Sequence, residues 1–303
     1  MLQFIKKLFF FAIPLVIAFI GLSLFADGYT DPYYLRFTTP KQKSLIIGTS
    51  KAAQGLQPKV FENKLGIKIY NYAFAINQSA FGKVYYESIV KKHKKVKDGI
   101  FIITVDPWSI CSKGKNPNDS EQFVENESPL AKTQIVNLYP NVEYLYENLK
   151  GKYSDLFIPP SDNLFLHDDG WLEIKGISMN KDSLNKRIAN KIIKYKKEHL
   201  NQSKFSTKRL YYLLKTIKYL QNYGKIYLVR LPVHESMMKL ENELMPDFND
   251  KIKEAINLSD DYYDMTSYNN YFIYTDGNHL YKDSGEEVSA LIANRILNKN
   301  KMK

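Results

Sequence analysis

Residues 44 to 303 read as an α/β domain built on a parallel sheet, and three features of the sequence predict it. Leu45-Ile46-Ile47 is a short, wholly apolar run of the buried-strand kind that stops at Gly48. Ile100-Phe101-Ile102-Ile103-Thr104-Val105, opened by Gly99, is the strongest strand signal in the chain. Between and after these runs, segments of helical period alternate with strands, the pattern of a parallel sheet with helices on both faces.

The N-terminus is of a different kind. Met1 to Lys7 is short and basic, whereas Leu8 to Ala26 carries no charge and is dense in Phe, Leu and Ile, about the span a bilayer requires. A cleaved signal peptide and a retained anchor both begin this way. Retention is the expectation here, because the apolar run is longer than a signal core and Leu24-Phe25-Ala26 sets a bulky leucine where cleavage needs a small residue. Lys6 and Lys7 then place the N-terminus inside and the domain outside the cytoplasmic membrane. Residues 27 to 43, rich in Tyr, Pro and Asp without a clear period, read as a juxtamembrane linker.

Within the domain a helix is expected from Pro58, with Val60, Phe61 and Leu65 on one face, and a second strand over Ile67 to Tyr70. Phe81, Val84, Tyr85, Ser88 and Ile89 mark the next helix. From about 107 to 180 the pattern dissolves into Asn, Ser, Pro and Asp, with a helical patch near Val142 to Leu149, so this region reads as an insertion. Lysine-rich helices over Lys181 to Leu200 and Phe205 to Tyr223 lead to a strand, Lys225 to Arg230, closed by Pro232. A helical region at Ser236 to Leu258, a short strand at Tyr262 to Met265 and a final helix capped by Asp283 complete the order.

Composition excludes several classes. A single cysteine, Cys111, rules out an internal disulfide or a cysteine-rich metal site. The net charge of +11 comes from lysines spread along the chain, with runs at 91 to 97 and 191 to 197 that read as solvated helix faces. No basic stripe interleaved with aromatics argues for nucleic acid. His167 beside Asp168 and Asp169 lacks the spacing by which side chains converge on one ion, so neither a metal nor another cofactor is expected.

In a parallel sheet, ligands sit beyond the carboxyl ends of the strands, where Ser50 and Asp106 both lie. Ser50, directly after a strand and before a helix, is placed as a nucleophile, although Gly48-Thr49-Ser50 also fits a plain turn with a capping hydroxyl. Asp276-Gly277-Asn278-His279 shifts the balance. Of the five histidines, only His279 combines an acid three residues before it on the same loop with a place directly ahead of the last core helix. A catalytic histidine needs that acid on one ring nitrogen while the other faces the serine. An Asx turn with a solvated imidazole is the competing account of this loop.

Together, Gly48-x-Ser50 after the first strand and Asp276-x-x-His279 before the last helix resemble blocks I and V of the SGNH/GDSL hydrolases, over about Ser44 to Leu297. An anchor ahead of the domain, Asn71 leading a second block and Asp168-Asp169-Gly170-Trp171 in the insertion look like the DltD-like and alginate O-acetylation-type members. The resemblance implies a flavodoxin-like three-layer α/β/α sandwich, with Ser50 as nucleophile, His279 as base and Asp276 orienting it. It also implies esterase or O-acyltransferase chemistry on an envelope polysaccharide, with an acyl donor and an integral-membrane acyltransferase as partners.

The chain departs from the family pattern in reading Gly-Thr-Ser for Gly-Asp-Ser, in lacking the Gly-x-Asn-Asp block after the third strand, and in lacking a clear second-block glycine. Those last two supply oxyanion donors in the family. Asn77 or Gln78 is the expected substitute donor, and Arg230, ending its strand, is expected to meet negative charge; each also fits a helix cap or a surface charge. A catalytically degenerate binding or assembly subunit is the alternative function.

Overall fold

The computed structural model describes residues 1–148, 156 and 163–301. Nine strands occur among them: β1 (Leu45–Ile47), β2 (Tyr70–Asn71), β3 (Gly99–Thr104), β4 (Cys111–Lys113), β5 (Leu164–Leu166), β6 (Leu172–Ile174), β7 (Ser203–Phe205), β8 (Gly224–Arg230) and β9 (Asp261–Asp264). Five form one all-parallel sheet in the order β2-β1-β3-β8-β9, so the expected α/β class with a parallel sheet stands.

The two-residue alternation of strands decides which face each side chain serves. Leu45, Ile47, Phe101, Ile103, Ile226 and Leu228 join one core, with Tyr85, Ile89, Leu213 and Ile217 from the helices Lys83–Lys92 and Thr207–Gln221. Ile46, Ile102, Tyr227 and Val229 join a second, with Phe61 from Pro58–Leu65 and Val288, Ile292 and Ile296 from Lys282–Lys301. Helices therefore bury both faces, as continuous apolar strands require.

Several boundaries differ from the sequence reading. The second strand lies at Tyr70–Asn71, later than Ile67 to Tyr70, because its partner register sets Leu45 opposite Tyr70. The last helix begins at Lys282, so Asp283 stands in its first turn instead of capping it. Two small antiparallel pairs were not announced by the sequence: β5 with β6 inside the insertion, and β4 of the insertion with β7, which lies beyond it. The expected helix at Val142 to Leu149 is seen as Val142–Asn148, and Leu149 lies outside the described residues.

The largest correction concerns residues 27 to 43, which are no linker. Tyr34, Arg36 and Phe37 are fully buried. The Arg36 guanidinium donates to three main-chain carbonyls, Pro32 O at 3.0 Å, Asn71 O at 3.2 Å and Gly170 O at 2.6 Å, and lies over the Phe74 ring. Donors and acceptors matched in this way allow a charge to be buried without a carboxylate. They tie the chain that leaves the N-terminal helix to the edge of the sheet.

The N-terminal helix, Leu2–Ser23, is long and apolar enough to cross a membrane, and its most apolar stretch has a mean hydropathy of 2.1 and no buried residue. Pro14 lies inside it.

Candidate active site

Ser50 is the first residue of the short helix Ser50–Gly55 that follows β1, with Thr49 extended as its cap residue. The chain leaves β1 through Gly48 at φ +154°, where a Cβ would stand 1.8 Å from Thr104 Oγ1 on β3. The buried Tyr85 hydroxyl grips the same peptide, accepting from Gly48 N at 3.0 Å and donating to Tyr72 O at 2.7 Å. Glycine is needed here both for close approach and for its backbone angle. Gly48→Ala is expected to cost about 1–3 kcal/mol in chemical denaturation. Thr104→Ala in the same chain, which removes the hydroxyl, should restore part of the loss.

At the other end of the domain, Asp276 to His279 forms a tight loop closed by Thr275 N donating to His279 O at 2.8 Å. Asp276 Oδ1 accepts from the main-chain N–H of Asn278 at 3.0 Å and of His279 at 3.1 Å, with Gly277 in the left-handed region at φ +83°. The same carboxylate meets His279 Nδ1 at 2.9 Å, and His279 Nε2 lies 2.8 Å from Ser50 Oγ. The Asx turn and the triad are thus one arrangement. The turn holds the carboxylate where the imidazole needs it.

His279 is 5% exposed while Ser50 is half-buried, so the hydroxyl is open to a substrate and the base behind it is shielded. Burial works against the Asp276 carboxylate, yet the His279 imidazole and the Lys191 ammonium, 2.9 Å from Oδ2, outweigh it and hold the group well below the ordinary carboxylate range. Asp276 stays ionised and keeps Nδ1 as the donor, leaving Nε2 to take a proton from Ser50.

The loop is backed by a helix from beyond the insertion, Lys181–Tyr195. Arg187 Nε donates to Thr275 O at 2.7 Å, Lys191 pairs with Asp276, and the Tyr195 hydroxyl lies 3.3 Å from Asn278 Nδ2. These residues recur every four positions, one stripe of a helix. The sequence reading assigned the lysines at 191 to 197 to a solvated face, and for Lys191 that is corrected. The four-residue spacing was the available signal.

Removing Lys191 gives a test with a defined sign. A carboxyl that titrates lower in the folded than in the unfolded chain stabilises fully above about pH 4, and that contribution is lost as pH falls through the folded value. Lys191→Met returns Asp276 toward its ordinary range. Acid unfolding followed by circular dichroism should therefore begin at higher pH than in the parent, by less than about one pH unit, because His279 and two main-chain N–H groups still favour the ionised carboxylate.

The remaining predicted residues lie elsewhere. Asp106 is buried and caps the turn Pro107–Ile110 through Ser109 N at 2.9 Å. Its other oxygen meets the ammonium of Lys51 at 3.2 Å. Lys51, the residue after Ser50, also pairs with Glu241, whose carboxylate accepts from Trp108 Nε1 at 3.2 Å and from Arg230 at 3.3 Å. Arg230 lies over the Phe248 ring and is 5% exposed. Asp106 and Arg230 are thus fastened into a buried ion network beneath Ser50, with little of either side chain open to solvent. Lys51 and Glu241, which join them, escaped the sequence reading.

Asn77 is exposed and Gln78 buried in the turn Ile76–Ser79, and Asn77 lines clefts whose linings include no triad residue. Asn71 is fully buried and donates to Ala52 O at 2.8 Å and Leu56 O at 2.9 Å, closing the end of the Ser50 helix. Trp171 Nε1 donates to Gln54 O at 2.9 Å and Asp169 O accepts from Asn71 N at 2.9 Å, so the Asp-Asp-Gly-Trp segment braces that helix. The donor that does stand beside Ser50 and His279 is Asn278 Nδ2, 3.4 Å from His279 Nε2. No group of three metal-ligating side chains occurs among the described residues. No protein-family model matches the chain, and no curated protein matches it.

Proposed function

We propose that this chain is a membrane-anchored serine esterase or O-acyltransferase of the SGNH type, acting outside the cytoplasmic membrane on an envelope glycopolymer. The observation that carries the reading is the relay from Asp276 through His279 to Ser50, at 2.9 and 2.8 Å, assembled from the two ends of the domain beyond the carboxyl end of β1. The all-parallel sheet with helices on both faces supports the three-layer flavodoxin-like form of that family.

In the reaction, Ser50 Oγ attacks the acyl carbonyl and passes its proton to His279 Nε2. Collapse of the tetrahedral intermediate breaks the bond to the leaving oxygen, which takes the proton from Nε2 and departs as the alcohol. Water or a polymer hydroxyl then attacks the acyl-Ser50 ester, gives its proton to Nε2, and the serine is regenerated as that proton returns. The Ser50 N–H, one of the helix N–H groups without an intrahelical acceptor, and Asn278 Nδ2 are the donors beside this centre. The anchor, with Lys6 and Lys7 inside, would set the domain where an integral-membrane acyltransferase delivers acyl groups.

A second reading has its own observation: Asp106 and Asn71, which stand where the family carries or surrounds its oxyanion donors, are bound into the structure. That favours a binding or assembly subunit. A fluorophosphonate probe on the full-length protein in detergent decides between them. The enzyme reading predicts one label per chain, absent from Ser50→Ala, and an unlabelled parent under all conditions leaves the subunit.

A further inference from the structure

The insertion carries an apolar surface whose position relative to the N-terminal helix is fixed by the fold. The helix end is built into the body: Ser23 and Ala26 are buried, and the Tyr139 hydroxyl donates to Leu24 O at 2.7 Å. The following chain locks the helix Val142–Asn148 in place. Phe37 stacks on Tyr144 at 4.7 Å, the Tyr144 hydroxyl donates to Asp31 at 2.9 Å, and Asn141 N donates to the Tyr34 hydroxyl at 3.1 Å.

As a result, Val142 and Tyr146 form a groove with Leu15, Val16, Phe19 and Ile20 of the N-terminal helix. At 1.5 Å per residue, those positions lie roughly 5–12 Å before the helix ends at Ser23. Tyr146 is therefore level with apolar turns of the helix and below the point where the chain leaves it. Next to it, Ile135, Leu138 and Tyr139 are exposed, and Tyr146 is 74% exposed. The neighbouring acid is engaged by the main chain: Glu143 accepts from the N–H groups of Gln134 and Ile135, both at 2.8 Å. Glu147 lines a separate polar cleft with Lys132 and Asn77.

We propose that Ile135, Leu138, Tyr139, Val142 and Tyr146 form a second membrane contact, seated in the interfacial zone of the leaflet through which Leu2–Ser23 emerges. The occupant of the groove is lipid. Continuity with the apolar helix is the argument, since a helix long enough to span the bilayer carries these side chains to headgroup and upper acyl depth with it. Tyrosine and aliphatic residues are the composition that zone prefers. The consequence is a domain held at a fixed height and tilt, with the cleft of Asn77, Gln78, Lys132 and Glu147 opening close to the bilayer surface. This inference rests on the N-terminal helix being inserted and is independent of the chemistry at Ser50.

The test uses the full-length protein in phosphatidylcholine vesicles, with an environment-sensitive fluorophore on Phe19→Cys, Leu138→Cys, Tyr146→Cys or Tyr211→Cys. Native Cys111 stays in place, because it is buried and burial pushes its thiol up to about 12. Tyr211, exposed on Thr207–Gln221, is the aqueous control. Lipids brominated high on the acyl chain should quench the labels at positions 19, 138 and 146 and leave that at 211 to aqueous iodide. Quenching at 19 with 138 and 146 behaving like 211 overturns the second contact. Labels at 138 and 146 shielded from both quenchers overturn it too, since a protein would then cover the surface. No quenching at 19 removes the anchor itself, and the proposal with it.

Discussion

Replacing His279 by alanine is expected to slow acylation of Ser50 by about 10⁴- to 10⁶-fold, the range in which members of a working triad are lost. Among the described residues, His279 Nε2 is the proton acceptor hydrogen-bonded to Ser50 Oγ, at 2.8 Å, and without it the hydroxyl must lose its proton to solvent. The fold should survive the change. Asp276 keeps its Lys191 partner and its two main-chain donors, and the loop stays closed through Thr275. Acylation is read from the rate of fluorophosphonate labelling and stability from a denaturation curve. A loss of less than about ten-fold, worth about 1.4 kcal/mol, would assign the imidazole a structural role only.

Lys51→Met is expected to cost about 3–5 kcal/mol of stability, because it leaves Asp106 and Glu241 buried with one cation too few. Burial opposes the Lys51 charge, but the two carboxylates outweigh it and lift the ammonium above its ordinary value. A group raised in this way stabilises the fold fully below its unfolded value and loses that contribution as pH rises through the folded one. The network joins the first turn after β1 to the ends of β3 and β8 and to the helix Glu235–Leu244. Its loss should therefore disturb Ser50 as well as stability. Urea denaturation measures the first effect, and labelling rate the second. Adding Asp106→Asn, which leaves Glu241 paired with Arg230, removes the uncompensated charge and should recover much of the stability, whereas a single variant as stable as the parent would show that the network carries no net load.

The Asp276–His279–Ser50 arrangement was legible because its signals are local. A buried strand running into Gly-x-Ser, and an acid and a histidine sharing one turn before a helix, need no knowledge of what packs against them. The sheet was legible for the same reason, since continuous apolar strands require cover on both faces. Lys51 was not, because nothing in its neighbourhood announces that Asp106 and Glu241, far along the chain, will meet it. Arg230 and Asp106 were correctly placed at strand ends, yet what they face depends on that long-range pairing. Residues 27 to 43 looked like a linker because tyrosine and proline without a period carry no strand or helix signal. Arg36 and Phe37 are nonetheless buried, in a single 3-10 turn, Tyr34–Phe37, that tertiary contacts hold in place.

The central claim is that Ser50 forms a covalent acyl intermediate, and the most direct measurement is the intact mass of the full-length protein, acid-quenched during turnover of an activated ester such as p-nitrophenyl acetate and then mapped by peptide. The account predicts one acyl group per chain, located on Ser50, absent from Ser50→Ala and lost with time as water or an added polyol takes it. Ester turnover with no adduct, or with the acyl group on another residue, would contradict it.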